Sequence, residues 1–181
     1  LNNIKAILMH KVAGFSLTST SNIIISKFVN IQAVGKYQNY ALIVNSLIGI
    51  SNEIFNGVVA SFGNLLSTEN EDKVYGNFKV IYFSNYLIYS FFAISFFTLA
   101  NPFVSLWIGK EAVFDVGTLL AISVYLYMVG IRQSLLMAKT SAGIYKQDQY
   151  FAVLEAVLTL ILSMLLAKRF GVKGVMFANI I

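Results

Sequence analysis

Cysteine is absent from the 181 residues, and proline and histidine each occur once. Without thiols there is no disulfide scaffold, no thiolate metal site and no cysteine nucleophile. A lone His10 excludes a histidine-rich metal site and a histidine-pair relay. Charge is scarce too. Asp, Glu, Lys and Arg make up 12% of the chain, about half of the ~25% usual in soluble domains. By contrast, 57% of residues are hydrophobic and 14% aromatic, with a mean hydropathy of +0.73. So few charges cannot cover a water-facing surface, so most of this surface faces something else. The composition is that of an integral membrane protein. Its formal charge of +5 is spread along the sequence. It forms no basic cluster of the kind that grips nucleic acid, so nucleic acid is not an expected partner.

The expected fold class is all-α, a multi-pass transmembrane helix bundle of five helices and a partial sixth. The spans fall roughly at 12–29, 37–66, 80–100, 113–137 and 150–167, with a partial segment at 172–181. The whole of 1–181 reads as one bundle. The chain opens on Leu1-Asn2-Asn3 and stops inside the apolar run from Val172. A helix cut there is about half the ~20 residues needed to span, so it reads as an internal piece of a longer protein. The third span is the clearest, because Val80 to Gly109 carries no charge. Asn101-Pro102 is expected to end it, since proline cannot continue the hydrogen-bond ladder. Phe103 to Ile108 then becomes a short interfacial piece, with Trp107 at headgroup level. Alternating loops put seven cations on one side and six, from Lys27 to Lys173, on the other. That difference does not fix orientation.

Polar residues recur inside these spans at helical spacing. Ser16, Ser19, Asn22, Ser26 and Asn30 share one face of the first. Asn45, Gly49, Asn52, Asn56, Ala60 and Gly63 share one face of the second, with Glu53 beside them. Small and polar stripes serve helix packing as well as polar passages. A carboxylate such as Glu53 is costly in mid-span, and usually faces a cavity or a partner. In the fourth span Tyr125, Arg132, Lys139 and Lys146 follow at seven-residue steps. Seven residues is near two turns, so the four stand nearly in line, about 10 Å apart. Arg132 carries a fork of donors that fits phosphate oxygens. Two roles stay open for it. Folding the fourth and fifth spans back on a turn near Tyr145 brings Glu155 to a height between Arg132 and Lys139, which allows structural pairing. Lys139 and Lys146 also reach an interface by snorkelling.

No catalytic constellation emerges. The serines lack a histidine partner, no Asp/His cluster has metal spacing, and no glycine loop cradles phosphate. Neither enzyme chemistry nor a cofactor is expected.

Several local patterns resemble the bacterial polysaccharide transporters, flippases of lipid-linked oligosaccharide repeat units in the superfamily that includes the multidrug and toxic compound exporters. They are the run Asn22 to Val29, Val34-Gly35 with Tyr37, Asn39 and Tyr40, and Ile54-Phe55-Asn56. Ala60-Ser61 with Gly63-Asn64-Leu65, then Ala142-Gly143 with Gln147-Asp148, Tyr150 and Glu155-Ala156, continue the series, which closes on Phe170 to Val175. The likeness covers nearly the whole sequence, and its specificity lies in the order and spacing of the motifs. It implies part of the second lobe of a two-lobed transporter in the bacterial plasma membrane, with Lys5, Ser67 to Lys79 and Lys146 cytoplasmic. Relatives often carry Asp before the first Asn, where this chain has Ser21, so a carboxylate role is missing there.

The expected function is translocation of undecaprenyl-diphosphate-linked oligosaccharide for surface polysaccharide synthesis. Arg132, Lys139 and Lys27 would hold the diphosphate, and Asn22, Asn52 and Asn56 would meet sugar hydroxyls. Glu53 and Glu155 would pair with those cations or couple to an ion. The expected partners are membrane lipid, the lipid-linked oligosaccharide and a coupling ion. The alternatives are a multidrug cation exporter, which needs an acidic cavity, and a polysaccharide polymerase, which needs a large loop with catalytic residues. A purely structural subunit is disfavoured by the polar stripes and Arg132.

Overall fold

A computed structural model describes residues 20–144 and 149–180. His10, Ser16, Ser19, Lys5, Lys11 and Lys146 lie outside the described residues. Helix α1 covers 20–28. The others are α2 (Ile31–Thr68), α3 (Glu71–Trp107), α4 (Val116–Ser141), α5 (Gln149–Phe170) and α6 (Val172–Ala178). Among the described residues there is no strand, and the protein is an all-α bundle. Helices α2, α3, α4 and the Tyr150–Phe170 stretch of α5 are each long and apolar enough to cross a membrane.

Polar caps set where these helices begin. Asn30 Oδ1 accepts from the Ala33 N–H at 2.7 Å and starts α2. Asn70 Oδ1 accepts from the Lys73 N–H at 3.0 Å and starts α3. Asp115 Oδ2 does the same for α4, with the Thr118 N–H at 3.0 Å. Each cap contributes about 1 kcal/mol. With 38 and 37 residues, α2 and α3 run about 55 Å, well beyond the ~30 Å hydrocarbon core. The excess carries the charged tip between them, where Lys73 pairs with Glu69 at 2.6 Å.

Helix α3 does not end at Asn101-Pro102, contrary to the expectation from sequence. It continues to Trp107, so Phe103 to Trp107 is its last stretch of helix and not a separate interfacial piece. The reason is tertiary. Tyr40 Oη donates to Asn101 Oδ1 at 2.5 Å, Asn101 Nδ2 donates to the Phe114 carbonyl at 3.0 Å, and the Phe114 N–H donates back to Tyr40 Oη at 3.1 Å. This closed ring ties α2, α3 and the approach to α4. Three bonds at roughly 1 kcal/mol each match the ~3 kcal/mol that an interior proline costs.

Helix α4 is the hub, packed on α2, α3 and α6. Against α3 the fit is close. Asn85 is 1% exposed, and its Nδ2 donates to the Gly130 carbonyl at 2.9 Å. A Cβ at Gly130 would lie 1.9 Å from the Tyr89 ring, so only glycine fits. Gly171, at φ +63°, then reverses the chain after α5. Helix α6 folds back along α5, so close that a Cβ on Gly174 would stand 2.3 Å from the Leu166 carbonyl oxygen. The reversal returns Asn179 to α1, where its Nδ2 donates to Ser21 Oγ at 3.0 Å.

Candidate functional site

Where α1, α2, α4, α5 and α6 face one another they line a chamber of about 390 Å³ that is open to its surroundings, with Gln38, Asn45 and Arg132 exposed. Its lining is polar for the inside of an apolar bundle. Asn22, Gln38, Asn45, Thr159 and Asn179 supply amides and a hydroxyl, and Tyr37 and Tyr125 supply phenols. Arg132 and Glu155 complete the wall. At the mouth, Gln38 Nε2 donates to Asn22 Oδ1 at 2.6 Å.

Arg132 and Glu155 meet end to end. Arg132 Nη1 donates to Glu155 Oε1 at 2.7 Å, and Nη2 to Oε2 at 3.2 Å. This fork-to-fork arrangement is the strong form of the ion pair. A second cavity, of about 430 Å³, shares Val129, Arg132, Glu155, Thr159 and Asn179 with the first. Its remaining lining is apolar: Met128, Phe151, Leu154, Leu158 and Ile180. The ion pair therefore stands at the boundary between a polar chamber and an apolar one.

The sequence-derived candidates separate into groups. Asn22, Arg132 and Glu155 come together on the chamber wall. Asn52 lies just outside it, where its Oδ1 accepts from Gln133 Nε2 at 2.7 Å and joins α2 to α4. Glu53 and Asn56 are exposed on α2 and do not line the chamber. Lys139 is half-buried in the last turn of α4, about 10 Å along the helix from Arg132. Lys27 is also away from the chamber, at the end of α1 beside Phe28.

Gln38, Tyr37, Thr159 and Asn179 are lining residues that sequence reasoning missed. A signal existed for the first. Gln38, Asn45 and Asn52 step by seven, so the polar stripe of α2 begins one heptad before the Asn45 start read from sequence. For Asn179 no local pattern helped, because the reversal at Gly171 brings it into place.

No protein-family model, curated protein or solved structure matches the chain. The site must be read from its own chemistry.

Proposed function

We propose that the protein is a bacterial plasma-membrane flippase for undecaprenyl-diphosphate-linked oligosaccharide repeat units. The observation that carries this reading is the bidentate Arg132–Glu155 pair on the wall of a polar chamber inside an apolar bundle. A guanidinium fork accepts phosphate oxygens in the same geometry as a carboxylate. A diphosphate thus takes the place of Glu155 on Arg132, with Lys139 as a second cation farther along α4. Amides such as Asn22, Gln38 and Asn45 bond sugar hydroxyls, and Asn52 and Asn56 extend that row along α2. Glu155 holds Arg132 while the site is empty, which avoids an unpaired charge in the membrane. Glu53, on the open face of α2, is the carboxylate left to couple with an ion. Alternating exposure of a midplane site is the usual transporter cycle.

A cationic drug needs a carboxylate to receive it. Glu155 is already engaged by Arg132, which disfavours the multidrug alternative.

The test is deletion of the parent gene followed by leaflet-specific labelling of the lipid-linked oligosaccharide. Build-up on the cytoplasmic leaflet, reversed on restoring the gene, is the expected result. An unchanged distribution would remove this substrate, and outer-leaflet build-up of unpolymerised units would favour a polymerase.

A further inference from the structure

One end of the bundle carries an excess of positive charge that the chamber does not use. The α1–α2, α3–α4 and α5–α6 connections all lie there, with Lys27, Lys36, Lys110, Lys168, Arg169 and Lys173 against only Glu111 and Asp115 among the described residues. Lys173 is accounted for, because it lies beside the Asp115 carboxylate.

Lys27 and Lys168 come from different helices and converge on one ring. Their Nζ atoms stand 5.8 and 5.3 Å from the centroid of Phe28. Arg169 follows directly and lies 5.5 Å from the Phe170 ring. Lys27, Lys168 and Arg169 are exposed, and among the described residues none of the three forms an ion pair. The ends of α1 and α5 each offer only about half a negative charge, so three full cations over-neutralise them.

The same end shows where these cations sit relative to a bilayer. Leu106 is 90% exposed and Trp107 52%, and the Trp107 ring packs 5.7 Å from that of Phe103. Exposed tryptophan beside exposed aliphatic surface marks headgroup depth. Lysines at that depth lie along apolar surface with their ammonium groups among phosphates.

We propose that Lys27 and Lys168, set on the Phe28 ring, hold the phosphodiester headgroup of an anionic phospholipid, with Arg169 as the adjoining cation. The site is separate from the chamber, and does not depend on what the chamber transports. Clustered cations beside membrane helices attract the headgroups of anionic lipids.

The experiment uses the purified full chain in neutral detergent, with bound lipid counted by native mass spectrometry and the unfolding midpoint followed in parallel. Phosphatidylglycerol is expected to be retained and to raise the midpoint, while phosphatidylcholine and inorganic phosphate are not. The double variant Lys27→Gln/Lys168→Gln is expected to lose at least about tenfold in phosphatidylglycerol affinity. A control, Lys73→Gln/Lys79→Gln at the other end, keeps wild-type retention. If the double variant cannot be recovered, Lys168→Gln alone should show a smaller loss in the same direction. Equal retention of the two lipids, or equal losses in clamp and control variants, would overturn the proposal. So would stabilisation by inorganic phosphate to the same extent, which would assign the site to a free anion.

Discussion

Arg132 on α4 and Glu155 on α5 are joined oxygen to nitrogen at both ends, at 2.7 and 3.2 Å. They lie where a polar chamber meets an apolar one. The pair holds two helices together and at the same time occupies the best phosphate-binding group in the chamber. In the proposed cycle these are successive states of one guanidinium.

Competition between Glu155 and substrate gives the first prediction. Glu155→Gln keeps the shape but removes the charge that holds Arg132. Hydrogen bonds to charged groups are worth about 1.5–3 kcal/mol, and 1.4 kcal/mol is tenfold in affinity. The purified variant is therefore expected to bind a polyprenyl diphosphate about tenfold more tightly than wild type, as read by calorimetry. Unchanged affinity would mean that Glu155 does not compete.

The exchange variant Arg132→Glu/Glu155→Arg separates holding from binding. It restores an ion pair across the same gap, so its unfolding midpoint should return close to wild type. Its guanidinium now projects from α5, and substrate translocation should stay impaired. Recovery of both would make the pair a structural tie only.

Gly130 gives a packing test. Gly130→Ala drives a methyl into the Tyr89 ring, and such overpacking costs about 1–3 kcal/mol. Adding Tyr89→Ala removes the obstacle, so the double variant should fall short of the summed losses. Scanning calorimetry in detergent reads the non-additivity, and simple additivity would refute the contact.

Asp115 gives a pH dependence. Its carboxylate accepts from the Thr118 hydroxyl and N–H, with Lys173 nearby. The Thr118 hydroxyl is the largest influence, and together these bonds outweigh partial desolvation and hold its pKa below the ordinary carboxylate value. In that range the unfolded chain binds the proton more readily than the folded one. The stabilisation is thus complete above about pH 4 and is lost as pH falls through the lower, folded value. Asp115→Asn keeps a capping oxygen but cannot titrate, so the variant should lose this part of the acid sensitivity. An identical acid profile in both proteins would contradict the assignment.

Much of the helix content was legible in the sequence, since long uncharged apolar runs mark the helices. The Arg132–Glu155 encounter also followed from a simple reversal between two helices. Pro102 was misread because what carries α3 past it is Asn101, held by Tyr40 from 61 residues away. A local rule has no access to such a bond. The bond that Asn52 accepts from Gln133 was not legible, because its donor lies 81 residues away on another helix. Lys27 stands one residue before the end of α1, and where that end lies relative to the chamber is a tertiary fact that no local pattern carries.

The most direct test of the central claim is leaflet-specific labelling of lipid-linked oligosaccharide in deletion cells carrying Arg132→Ala. Membrane insertion of the variant is checked in the same cells. The account predicts normal insertion, with the oligosaccharide trapped on the cytoplasmic leaflet as in the deletion itself. Normal delivery to the outer leaflet by an inserted Arg132→Ala protein would contradict it.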